Sequence, residues 1–148
     1  MNHIHNYDVG HEAERRIAKR LTAMGAEDVR LAAAPHDCPD LTFVLNRLRF
    51  LVECKTILGV HAGGRMGVAK VSRTEVQSME SALPYLAHKC LIVELRPTTH
   101  SKDPVYLYVH WDLVREVYSH RSPAVMSLTF WWLLRNGLPL ERIKEVAR

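Results

Sequence analysis

Asp40, Glu53 and Lys55 are the residues of this chain whose types and spacing could do chemistry. They lie in one stretch, Pro-Asp-Leu-Thr-Phe-Val-Leu-Asn-Arg-Leu-Arg-Phe-Leu-Val-Glu-Cys-Lys, over residues 39–55. Asp40 heads one apolar run, and Glu53 and Lys55 close the next. If the two runs are strands of a hairpin, two carboxylates and an ammonium meet where the strands pair. Side chains alternate faces along a strand, so Glu53 and Lys55 share a face and Cys54 points to the other. Two neighbouring acids raise each other's pKa, a costly arrangement unless a cation sits between them. Oxygen ligands with room for water suit Mg²⁺ or Mn²⁺. An adjacent lysine can then orient or deprotonate an attacking water. Together these are the parts needed to hydrolyse a phosphodiester. The plain alternative is a surface hairpin with an ordinary ion pair, and the apolar flanks argue for a buried strand instead.

The elements that must position these residues follow from periodicity. A helix is predicted over Val9 to Met24, with Ala13, Ile17, Ala18 and Leu21 on one stripe and Arg15, Arg16, Lys19 and Arg20 around it. Asp8 is its expected N-cap and Gly25 its C′ stop. Strands are predicted over Asp28 to Ala32, Leu41 to Leu45 and Leu48 to Thr56, with a turn at Asn46-Arg47. Phe50-Leu51-Val52 is apolar on both faces, as a covered central strand should be. A loop with four glycines spans Gly59 to Gly67. A helix is predicted over Ser72 to Ala87, with Ser72 and Glu75 at capping-box spacing and Pro84 kinking or ending it. Strands at Cys90 to Leu95 and Val105 to His110 flank a turn over Arg96 to Pro104. Then come a helix over Trp111 to Tyr118, a segment over Pro123 to Asn136, and a last helix from Pro139 to the end. Interleaved strands and helices predict an α/β fold, a central mixed β-sheet flanked by helices. The expected organisation is a core over residues 1–110 and a C-terminal helical extension over 111–148, within one globular domain.

Pro39-Asp40 followed by Glu53-Cys54-Lys55 resembles the PD-(D/E)xK pattern of the restriction-endonuclease-like nuclease superfamily. The upstream Ala13-Glu14-Arg15-Arg16-Ile17 opens an amphipathic helix, and the order helix, strand, loop, motif is similar to the archaeal-type Holliday junction resolvases. In that family an early helix supplies a further acid from an Ala-Glu-Arg stretch, and Glu14 matches it. Downstream, Val71-Ser72-Arg73-Thr74-Glu75-Val76-Gln77 resembles the start of the helix after the motif, and also VRR-type nuclease domains, which carry a later Gln. The resemblance covers about residues 9 to 95. One departure is the segment Ala34-Pro35-His36-Asp37-Cys38, where the resolvases carry a small polar loop with a serine.

The chain has 148 residues, enough for one domain with a real core. Its net charge of +4 permits a nucleic-acid partner without demanding one. Cys38, Cys54 and Cys90 are widely spaced, odd in number and without a CxxC, so a reducing, intracellular home is expected. No apolar run approaches the ~20 residues of a membrane span, and Met1-Asn2-His3-Ile4-His5 has no signal-peptide character.

These features set the expected site. The resemblance implies an Mg²⁺- or Mn²⁺-dependent endonuclease acting on branched or duplex DNA and leaving 5′-phosphate and 3′-hydroxyl ends. Asp40 and Glu53, with the Cys54 carbonyl and Glu14, would hold the metal, and Lys55 would orient the water. Arg65, Lys70 and Arg73, in and after the glycine-rich loop, are expected to contact DNA, because glycines let a backbone approach a phosphate. His36 and Asp37, just before the motif, are candidates to touch the scissile phosphate or a metal, with loop polar groups as the plain reading, and Gln77 is a further candidate contact. For Gln77 a plain exposed helix position is an equal reading. Phe130-Trp131-Trp132-Leu133-Leu134 is a dense apolar cluster, read either as core packing or as the interface of a homodimer. A junction resolvase, a restriction- or repair-type nuclease, and a non-catalytic nucleic-acid-binding subunit all remain compatible with the sequence. The intact acids and Lys55 argue against the third.

Overall fold

The structure is a computed structural model that describes residues 2–33, 39–58, 67–96, 104–118 and 124–146, with residues 2–10 as backbone alone. Helix α1 spans Asn2–Ala23, followed by strands β1 (Glu27–Leu31), β2 (Leu41–Leu45), β3 (Leu48–Leu58) and β4 (Val68–Ser72). Then come α2 (Arg73–Ser81), β5 (His88–Arg96), β6 (Val105–His110), α3 (Trp111–Val117), β7 (Val125–Thr129) and α4 (Phe130–Asn136). The chain closes with a short strand β8 (Leu138–Pro139), a 3₁₀ turn over Leu140–Arg142 and α5 (Ile143–Val146). Among the described residues, six strands form one mixed sheet in the order β1-β2-β3-β5-β6-β8, and β4 pairs with β7 apart from it. The expected α/β architecture is therefore present.

Alternation along the central strands explains the layers. Phe50, Val52, Cys90, Ile92, Tyr106 and Tyr108 face α1 and pack with Ile17 and Leu21. Their neighbours Leu51, Leu91, Val93, Leu107 and Val109 face the other way, onto Val76 and Met79 of α2, Trp111 and Val114 of α3, and the β4–β7 pair. Each fully buried Leu or Ile contributes about 1.5–3 kcal/mol relative to exposure. Phe43 and Phe50, directly opposed in the β2–β3 register, stack with centroids 4.7 Å apart. Such a pair adds about 0.5–1.5 kcal/mol beyond its burial. Asn46 and Arg47 take positive φ of 50° and 68°, the left-handed pair that a tight hairpin with the right twist requires.

The ends of the elements show where local signals prevail and where they do not. Gly25 (φ 97°) stops α1 as expected: its N–H donates to the Thr22 carbonyl and the Ala26 N–H to the Leu21 carbonyl, both at 3.0 Å. The start differs, since α1 begins at Asn2 and Asp8 lies inside it rather than capping it. Helix α2 is shorter than the expected Ser72 to Ala87. It ends at Ser81, with Ala82 extended, because the residues leading into Pro84 disfavour helical backbone. Strand β3 runs on to Leu58, past the expected Thr56. Strands β4 and β7 fall where no strand was expected. The region after Trp111 carries strands as well as helices, β8 adding to the edge of the main sheet beside β6. No described helix is long and apolar enough to cross a membrane.

Candidate active site

The site forms where β2 and β3 part. Their pairing ends at Leu41 opposite Val52, so on that side Glu53 to Leu58 have no strand partner, while β5 still pairs along the other. Asp40 occupies the vacated edge. Its carboxylate Oδ2 accepts the Cys54 backbone N–H at 2.9 Å, supplying the bond a strand would have made. The Asp40 carbonyl accepts the Ala32 N–H at 2.8 Å, which anchors the residue to the end of β1.

Glu53 and Lys55 leave β3 on the face turned toward α2, and both are largely withdrawn from water, with side-chain exposures of 5% and 21%. Lys55 Nζ lies 3.5 Å from Glu53 Oε1 and 2.5 Å from Glu75 Oε2. Glu75 was read from sequence only as the helix-capping acid. It does cap: Ser72 Oγ accepts the Glu75 N–H at 3.1 Å, and Glu75 Oε1 accepts the Ser72 N–H at 3.0 Å. Its second oxygen reaches Lys55. Glu14 enters from α1 on the other side of the sheet, with His11 Nδ1 at 3.4 Å from its Oε2.

These groups form one electrostatic unit. Burial pushes the Glu53 carboxyl up to about 11, reinforced by a hydrogen bond with Glu75 and by the charges of Asp40 and Glu75, and opposed by Lys55. Glu75 goes the other way: burial pushes it up, but hydrogen bonds from Glu53, Lys55 and the Ser72 N–H, with the charge of Lys55, hold it down at about 2. Burial raises Asp40, against the Cys54 N–H, a hydrogen bond with Glu53 and the Lys55 charge. Glu14 is raised by burial and then by Asp40, with His11 and Lys55 opposing. Lys55 is pulled down by burial but raised overall by Glu53 and Glu75. Burial and the neighbouring carboxylates thus favour the neutral form of Glu53, and Lys55 opposes them.

The donor set suits a hard divalent cation. Asp40, Glu53 and Glu14 raise one another or are raised by burial, so each gains when positive charge enters, and all three offer oxygen. Among the described residues no three Asp, Glu, His or Cys side chains already converge as ligands.

The other expected residues are placed as follows. Cys54 gives its N–H to Asp40, while its thiol packs toward the α1-side core, where burial pushes its pKa well up. Lys70 is exposed on β4. Arg73 opens α2, donates from Nε to the Tyr118 hydroxyl and lies 5.8 Å from that ring's centroid. Gln77 is exposed, and its backbone carbonyl accepts the Ser81 hydroxyl. It is Glu75, two residues earlier, that turns toward Lys55. His36, Asp37 and Arg65 lie outside the described residues.

No family model matches the chain, and no curated protein matches it. Among solved structures it is similar to Hjc of Archaeoglobus fulgidus, a Holliday junction resolvase from an archaeal hyperthermophile, with a TM-score of 0.67. The chain shares the fold of that protein. Sequence identity is 15%, and the match covers 92% of this chain and 95% of the other. It thus extends well beyond the span of about 9 to 95 that carried the sequence resemblance, and takes in part of the C-terminal region.

Proposed function

We propose that this protein is a metal-dependent DNA endonuclease of the structure-selective, junction-resolving kind. The observation that carries the reading is the meeting of Asp40, Glu53 and Lys55, with Glu14 beside them, at the open edge of β3 in a fold shared with a resolvase. Asp40, Glu53 and Glu14, with the Cys54 carbonyl, would hold Mg²⁺ or Mn²⁺. Such an ion polarises a phosphate oxygen and lowers the pKa of water.

The chain's own residues do the rest. The Cys54 N–H fixes the Asp40 carboxylate, leaving one oxygen outside that bond. Glu53 would serve as a ligand in its ionised form. Lys55, held protonated between acids, can donate to a water or to a phosphate oxygen and set the line of attack. Exposed Lys70 and Arg73 supply positive charge for the DNA backbone near the start of α2. A junction has two strands to cut, and a twofold homodimer presents two sites. Trp131 (70% exposed) and Leu134 (45%) offer an apolar surface for it.

The test is incubation with four-way junction, flap, duplex and single-stranded DNA in Mg²⁺, Mn²⁺, Ca²⁺ or EDTA. Cleavage of the junction in Mg²⁺ or Mn²⁺ is expected, with binding but no cutting in Ca²⁺. Cutting confined to plain duplex would transfer the reading to a restriction- or repair-type nuclease. Undiminished cutting in excess EDTA would refute a metal mechanism.

A further inference from the structure

Lys55 has two acidic partners, and they are not equivalent. Glu53 lies 3.5 Å away and belongs to the same strand, while Glu75 lies 2.5 Å away across the chain. On the reading above, Glu53 would also serve a metal and so hold the lysine less firmly, while Glu75 would keep its contact. Its Oε1 is fixed by the Ser72 N–H at 3.0 Å, its backbone N–H is held by Ser72 Oγ, and α2 is seated through buried Val76 and Met79. A carboxylate tied down at one oxygen presents the other in a fixed place. Lysine side chains carry about 2 kcal/mol of rotamer entropy, so a flexible ammonium gains direction only from such a partner.

We infer that Glu75 is the positioning residue for Lys55: the capping box of α2 doubles as the clamp that aims the lysine at the site. This rests on the nuclease reading for its consequence in catalysis, but not for the contact itself. The consequence is local and separable. Gln serves as well as Glu at the third position of a capping box, so Glu75→Gln keeps the helix start and removes the charged clamp.

Three readouts test it in the full chain. In steady-state cleavage, Glu75→Gln is expected to lower kcat about tenfold or more with KM little changed, as loss of positioning should. Thr129→Ala, which removes the hydroxyl that accepts the Trp132 N–H at the start of α4, is expected to lower the melting temperature while kcat stays near wild type. In a double-mutant cycle, Glu75→Gln added to Lys55→Ala is expected to cost nothing further, because both act through the same ammonium. In metal-free protein, reductive methylation of Lys55 followed by peptide mass spectrometry is expected to run several-fold faster in Glu75→Gln. Wild-type kcat in Glu75→Gln, full additivity in the cycle, or an unchanged methylation rate would overturn the inference. If the wild-type chain cuts no DNA at all, the nuclease reading fails, and the methylation rate still decides whether Glu75 holds Lys55.

Discussion

Glu94, at the middle of the sheet, is fully buried and accepts three hydrogen bonds: from Arg16 Nε at 2.8 Å, Arg16 Nη2 at 2.9 Å and the Tyr106 hydroxyl at 2.9 Å. The bidentate pair ties α1, and with it Glu14, to β5. Arg16→Leu keeps the apolar stem and leaves the carboxylate with the neutral Tyr106 hydroxyl and with Arg96 Nε 4.0 Å away. Breaking a buried pair from one side costs about 3–5 kcal/mol. At about 2–4 °C per kcal/mol for a domain of this size, the melting temperature should fall by about 6–20 °C. Thermal melts of both proteins give the comparison. Adding Glu94→Gln to Arg16→Leu should recover part of the loss, because it removes the poorly compensated charge. A loss of under about 2 °C would refute this assignment of the pair.

Other consequences follow from the site and surface. Glu53 in the metal-free fold sits near 11 against an ordinary 4.5, so its contribution is a penalty that grows as pH rises above about 4.5; Glu53→Gln should stabilise the metal-free protein at pH 8 and flatten its fall in melting temperature between pH 5 and 9. An equal fall in the variant would mean that Glu53 is not held neutral. Divalent metal should restore stability to the wild type but not to Glu53→Gln, read as the melting shift with Mn²⁺ against EDTA. Trp131 is 70% exposed while Trp132 packs against the α2-side core. Trp131→Ala should therefore leave the melting temperature alone and weaken a dimer by about 2 kcal/mol, about thirtyfold in Kd. A wild-type chain that scatters light as a monomer at high micromolar concentration would end the dimer proposal.

Much of the architecture was legible because it is local. The hairpin of β2 and β3, the stop at Gly25 and the cap at Ser72 are set by residues a few positions apart. The start of α1 was misplaced because Asp8 has the chemistry of an N-cap, yet the helix runs through it. Strands β4 and β7 show the alternation of half-buried strands, Val68-Ala69-Lys70-Val71-Ser72 and Val125-Met126-Ser127-Leu128-Thr129. Each is short, and its partner is the other, far along the chain, so neither segment has a neighbouring run to pair with. The carboxylate–lysine set was legible from two strand ends bearing charge after apolar runs. The reach of Glu75 to Lys55 was not, since capping accounts for Glu75 locally and only the packing of α2 brings it across to β3.

The central claim is that Asp40 and Glu53 form a metal-dependent phosphodiesterase site. The most direct measurement is cleavage of an end-labelled four-way junction in Mg²⁺ by wild type and Asp40→Asn, each shown by circular dichroism to be folded, with the product ends tested by ligation. The wild type should leave ligatable 5′-phosphate and 3′-hydroxyl ends, and Asp40→Asn should cut at least about a thousandfold more slowly, about 4 kcal/mol of lost transition-state stabilisation. Cutting by folded Asp40→Asn at the wild-type rate would contradict that claim.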